Sequence, residues 1–235
     1  MPLAGTAFLA LWNDIARNRE REYEDWHTLE HVPERVAVDG FIGARRYVNR
    51  ARDEHRYFTL YDVKSLDVFE SAEYRDLVDR PTPRSEAMRP DFANFLRAPC
   101  TLVASEGAGI GAAIATLCVP RSVTEQALRL QMQLALSTHS VNAAHIGRRT
   151  ESSAPSPLPA NSMSERKFEH IMLIEATNLE SATIALEAVK RALDLDSLPR
   201  DFGNDIYDLA FVFPAAGDDE RRRHRRESWN SSRGS

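Results

Sequence analysis

The hydrophobic periods of this chain run through the same succession twice, and that succession limits the folds open to it more than any single motif does. Residues 5–105 read as strand, helix, strand, strand, helix, strand. Continuous or alternating apolar runs at 5–15, 41–49, 55–63 and 99–105 are separated by helical patterns over 20–36 and from Ser65 to the Pro81-Thr82-Pro83 stop, with a further short helix over 85–95. Residues 111–213 repeat the order, with strands at 111–119, 142–149, 168–175 and 206–213. Their helices open at a Ser122-Val123-Thr124-Glu125 capping box and at an Asn178 cap. Phe41-Ile42-Gly43-Ala44-Arg45-Arg46 and Ala144-His145-Ile146-Gly147-Arg148-Arg149 share an Ile-Gly and a following Arg-Arg at the same place in the two halves. This is the split βαβ order, and its recurrence argues for internal duplication. The expected units are 1–107 and 108–217, hinged at the Gly107-Ala108-Gly109-Ile110-Gly111 stretch, with a Pro/Ser/Ala loop over 152–164. The arginine-rich tail 218–235 is expected to be disordered.

The segment with the most chemistry is 24–35, which reads Glu-Asp-Trp-His-Thr-Leu-Glu-His-Val-Pro-Glu-Arg. His27 and His31 stand four apart, so on a helix they project from one side. Trp26, Leu29, Val32 and Val36 give an apolar set at three- and four-residue steps that lets the helix pack while it presents polar groups. Pro33 cannot sit in an ordinary helix interior, so a break or kink is expected just after His31. An imidazole titrates near neutrality and suits proton transfer. His31 is therefore the first candidate for a general acid or base, with His27 as a relay partner and Glu30 as an orienting carboxylate. Adjacent helical residues diverge in direction, which points Glu30 towards an ion pair instead.

The chain has 235 residues, a net charge of -5 and 43% hydrophobic residues. Such an acidic balance gives no general attraction to nucleic acid, and the arginines of the tail have no interleaved aromatic residues. No apolar run is long enough to span a membrane, and the N-terminus lacks a signal-peptide pattern, so a cytoplasmic location is expected. Cys100 and Cys118, the only cysteines, fit two reduced, buried thiols.

Glu30-His31-Val32-Pro33, with Trp26 upstream and Gly40-Phe41 leading into Arg45-Arg46-Tyr47, resembles the dimeric α/β-barrel superfamily, and within it the EthD-like branch. The resemblance spans about residues 5–100; the second half shares only the element order and has no His-x-Pro. It implies an α+β fold of two tandem ferredoxin-like (βαββαβ) units that pair through their sheets into a pseudo-dimeric α/β barrel. It further implies one ligand cavity, served by the first half. Superfamily members include cofactor-free monooxygenases, isomerases, lyases and haem proteins, so the fold leaves the reaction open.

Around His31, the candidate substrate-binding residues are Asn13 at the end of the first strand, Trp26, Arg45, Arg46 and Tyr47 on the second strand, and Tyr57 and Tyr61 on the third. Arg45 and Tyr47 share one strand face and Arg46 takes the other. A buried arginine needs a carboxylate or an anionic ligand, so either arginine could hold a substrate oxyanion or form a salt bridge to Glu30 or Glu34. No metal and no cofactor is expected, because the HExxH zinc spacing is absent and no third ligand is identifiable. A haem alternative would draw on His139, His145 or His170. The expected function is a small-molecule enzyme of aromatic or polyketide-type metabolism, a cofactor-free lyase, isomerase or monooxygenase. Its expected partners are a small hydrophobic or aromatic substrate and a second copy of the chain. The rival reading is a non-catalytic ligand-binding or stress-responsive barrel.

Overall fold

A computed structural model of the protein describes residues 3–150, 158, 163–164, 167–195, 205–214 and 217–226. Its strands are β1 (Ala7–Ile15), β2 (Phe41–Val48), β3 (Tyr57–Val63), β4 (Phe92–Gly107), β5 (Ala113–Val119), β6 (Val141–Arg149), β7 (His170–Ala176) and β8 (Asp205–Phe213). They close into one antiparallel barrel in the order β1-β3-β2-β8-β5-β7-β6-β4. The first four strands therefore lie as β4-β1-β3-β2, and the last four as β8-β5-β7-β6, which is the same relative order. The two sets meet at the β2–β8 and β4–β6 seams. β2 and β3 form the expected antiparallel pair, with Phe41 opposite Val63.

Strand alternation sends successive side chains to opposite faces of the barrel wall. On β1, Phe8, Ala10 and Trp12 point inward and join Tyr47, Phe58, Leu60, Cys100, Cys118, Leu173 and Tyr207 in one buried cluster. Both cysteines are buried and outside any disulfide. A Cβ at Gly147 would collide with the ring of Phe8, so glycine there lets the phenylalanine fill the lumen. The lumen is thus packed with side chains. The alternate residues, Ala7 and Leu9, face outward and pack on Val32, Val36, Phe41 and Leu77.

Helices cover the outer faces: α1 (Glu20–Trp26), α2 (Val32–Ala37), α3 (Ala72–Asp79), α4 (Pro83–Met88), α5 (Glu125–Leu136), α6 (Leu179–Ala192) and α7 (Asp218–His224). The helix does not break at Pro33; the irregularity expected there takes the form of a wider turn just before it. A π-helical turn, His27–His31, joins α1 to α2, and the Val32 amide donates to the His27 carbonyl five residues back. The wider turn takes up the backbone mismatch that a proline imposes on the preceding turn.

Four other expectations are corrected. Ser71, not Ser65, caps α3, accepting from the Tyr74 amide, and a short 3-10 segment, Leu66–Glu70, precedes it. Thr124, not Ser122, caps α5. The helix expected over 85–95 ends at Asp91, and Phe92 already belongs to β4, whose pairing with β1 overrides the local pattern. The tail is ordered through its first part: Arg226 reaches Glu34 and Asp76, Arg225 pairs with Glu73, and Arg221 donates to the Val38 and Phe41 carbonyls. The Asn178 cap of α6 is as expected. The 152–164 loop lies outside the described residues except for Leu158, Met163 and Ser164, and 227–235 lies outside them entirely.

At one end of the lumen a buried polar network ties the halves together. Arg45 Nη1 on β2 donates to Glu175 Oε1 on β7 at 2.5 Å, and His145 Nε2 lies 2.9 Å from the same oxygen. Ser105 Oγ is 2.8 Å from His145 Nδ1, and the Gly111 amide donates to Glu175 Oε2. Burial alone would raise the Glu175 pKa; the His145 hydrogen bond and the Arg45 charge outweigh it and hold it below 4.5. Removing one member leaves an uncompensated buried charge. Arg45→Ala should destabilise the protein by about 3–5 kcal/mol in chemical denaturation; a loss below about 1 kcal/mol would show that the network is not needed to hold the halves together.

Candidate functional site

The inner cluster packs the lumen, and open space lies outside the barrel wall, between the first-half sheet and its helices. A cavity of about 410 Å³ sits there. Its floor is the outward face of β1 (Leu9, Leu11, Asn13), with Thr59 of β3 and Arg97 of β4 flanking Leu11 in the register. Tyr23, Trp26, His27 and His31 form one wall, from α1 and the π turn. Phe69, Tyr74 and Leu77 form another, and Phe92 and Phe95 close a side.

The π turn stacks the two imidazoles, with ring centres 5.2 Å apart and planes 25° apart. The His31 ring also lies against Trp26 at 4.2 Å. Trp26 is fixed in turn by its indole N–H, which donates to Ser85 Oγ. His27 Nε2 is 3.4 Å from Thr59 Oγ1, and the Nδ1 atoms of both histidines are buried with no hydrogen-bond partner. Tyr23 donates its hydroxyl to Asn13 Oδ1 at 3.1 Å. Burial, reinforced by the Arg46 and Arg35 charges at His27 and by Arg35, His27 and Arg89 at His31, holds both imidazoles well below the usual 6.5. Both are neutral at pH 7. Each therefore has an imidazole nitrogen with a lone pair beside the aromatic wall of the cavity.

Of the sequence candidates, Asn13, Trp26, His27 and His31 line this cavity. Glu30 does not orient His31: it accepts from Thr82 Oγ1 at 2.5 Å and lies 3.9 Å from Arg84, so it anchors the start of α4 to the π turn. Arg45 and Tyr47 point into the lumen, the first to Glu175 rather than to Glu30 or Glu34. Arg46 takes the helix side, donates to the Glu24 carbonyl and lies over Phe211. Tyr57 gives its hydroxyl to Glu24 near the surface, and Tyr61 packs edge-on against Phe41; neither lines the cavity. Arg35, Arg89 and Arg97 do line it and were not among the sequence candidates. Arg35 lies four residues beyond His31, so its helical spacing carried the signal.

Among the described residues, no group of three His, Cys, Asp or Glu could hold a metal ion. The histidines named for a haem alternative lie elsewhere: His145 is bound within the lumen network, His170 is 3.5 Å from Glu125, and His139 is exposed. No helix among the described residues is long and apolar enough to cross a membrane.

Comparison with known protein families finds no match, and no curated protein sequence matches the chain. Solved structures do match. An anthrone oxidase-like protein superposes with a TM-score of 0.63 at 9% identity, over 93% of this chain and 97% of that one. A monooxygenase candidate from Fusobacterium nucleatum subsp. nucleatum ATCC 25586 gives 0.54 at 12% identity, over 91% and 97%. At these identities the likeness is one of fold. The chain is an α+β protein with a closed antiparallel eight-stranded barrel, a fold it shares with these solved structures.

In the unfolded chain both cavity histidines titrate near 6.5. Below that pH the unfolded state takes up protons that the folded state refuses, so stability falls as pH drops from 7 towards 5. Each histidine should add a slope approaching about 1.4 kcal/mol per pH unit. The double variant His27→Gln, His31→Gln should flatten the loss of urea midpoint between pH 7 and pH 5; an unchanged slope would contradict neutral burial of the pair.

Proposed function

We propose that this chain is a small-molecule enzyme that takes a hydrophobic, aromatic or polyketide-type substrate between the first-half sheet and its helices. The observation that carries the reading is the pair of neutral, stacked imidazoles on the wall of an aromatic-lined cavity. His31 is the general base. It removes a proton from a phenol or an activated carbon, and Asn13, Trp26 and Tyr23 position the ring. His27, hydrogen-bonded to Thr59, is the partner through which that proton is shared. The anion so formed is the common starting point for a cofactor-free isomerase, lyase or monooxygenase reaction. The oxidase-like and monooxygenase descriptions of the two structural neighbours favour the last.

The matching strand order of the two halves supports reading them as tandem ferredoxin-like units with a boundary at 107/108, of which only the first keeps a site. The His31-x-Pro33 motif supports the EthD-like branch, and two thiols outside any disulfide suit a reducing, cytoplasmic setting. The second reading, ligand capture without turnover, keeps the cavity and drops the proton transfer.

His31→Gln separates the two. Loss of the general base should lower turnover of an anthrone or naphthol-type substrate by about 10²–10⁴-fold, with binding, followed through tryptophan fluorescence, largely retained. Turnover equal to that of the wild type would reject the catalytic role of His31.

A further inference from the structure

Charge along the cavity wall is unbalanced. Four arginines line it, Arg35, Arg75, Arg89 and Arg97, against two carboxylates, Glu70 and Asp79. Arg75 and Glu70 satisfy each other at 2.5 Å. Among the described residues the other three arginines have no carboxylate within ion-pair distance. Arg35 donates to the His31 carbonyl at 3.3 Å, and Arg89 to the Val78 carbonyl at 2.8 Å. Arg97 lies over the Phe69 ring at 5.0 Å, and its Nη2 is buried with no hydrogen-bond partner. Glu86 and Asp79 are close enough for their charges to act on Arg89. Arg35 and Arg97 are left without a carboxylate partner among the described residues.

The Arg97 Nη2 atom is held away from water without a partner, and a carboxylate or oxyanion accepting from it would make one of the strongest contacts a site can offer. Arg35 and Arg89 also stand near His31, so positive charge gathers where the proposed base would leave a negative oxygen on the substrate. We infer that the ligand of this cavity carries an anionic oxygen, a carboxylate or a phenolate, on its aromatic body, and that Arg35, Arg89 and Arg97 receive it. The inference rests on the cavity being the ligand site, and it narrows the substrate class to acidic aromatics. The same arginines would hold an enolate or phenolate as it forms, which is electrostatic stabilisation of the reacting anion.

The test uses the purified full chain and three naphthalene probes, 2-naphthoate, 2-naphthol and methyl 2-naphthoate, titrated by quenching of tryptophan fluorescence. The acid should bind about tenfold or more tightly than its ester, with the advantage shrinking as salt is raised. Tighter binding of naphthol above its pKa than below it would mark a phenolate as the preferred group, and naphthoate outbinding naphthol a carboxylate. In Arg97→Gln, and separately in Arg35→Gln, the ratio of acid to ester affinity should fall towards one. Equal affinity for acid and ester in the wild type would overturn the anion assignment while leaving the cavity in place. Acid selectivity that survives both substitutions would overturn the role of these arginines. Failure of all three probes to bind would overturn the cavity reading together with the inference.

Discussion

A closed barrel must fill or open its lumen, and this one fills it. Trp12, Tyr47, Phe58 and Tyr207, all essentially inaccessible, meet inside the wall, and Phe8 occupies the space that Gly147 leaves. Burying each such ring contributes on the order of 1.5–3 kcal/mol, so the lumen has every reason to stay shut. A ligand is then left with the space between wall and helices. In the second half that space is closed by Leu128, Met132, Leu186 and Val189 packing on Leu117 and Ile174. In the first half it is held open, and the chemistry follows from what holds it.

The opening device is the π turn. Pro33 offers no amide and crowds the turn before it, and the backbone answers by widening to a five-residue step between His27 and Val32. The helix therefore continues into α2, whose Val32 and Val36 are fully buried against the sheet. The same turn presents His27 and His31 side by side, while Leu29 is left exposed and Glu30 is drawn to Thr82. One local conflict between proline and helix thus sets the position of both imidazoles. Trp26, locked to Ser85, fixes the ring that packs on His31.

Much of this was readable from the residues. Continuous or alternating apolar runs placed all eight strands, because a wall buried on both faces leaves long apolar runs, although β4 begins at Phe92 rather than at Pro99, and the Asn178 cap has the local hydrogen bond that its residue type calls for. The histidine pair was readable because spacing fixes a helical face. What was not readable depended on contacts remote in sequence. Residues 92–95 read as the end of a helix but belong to β4 beside β1, and Arg97 fell in the gap between that expected helix and the strand expected from Pro99. The direction of each strand face was also undetermined: alternation grouped Arg45 with Tyr47, but only the partner on β7, Glu175, shows that this face is the lumen. The tail arginines read as solvated until the acidic residues of α2 and α3 came opposite them.

The central claim is that the working surface of this barrel is its outer, helix-covered face in the first half. The most direct measurement is the position of a bound aromatic acid, such as 2-naphthoate, in a crystal structure of its complex. The account predicts the ligand between β1 and the π turn, with a ligand oxygen or acidic carbon within about 3.5 Å of a His31 ring nitrogen. A ligand seated in the lumen, against the second-half helices, or with His31 turned away from it would contradict the account.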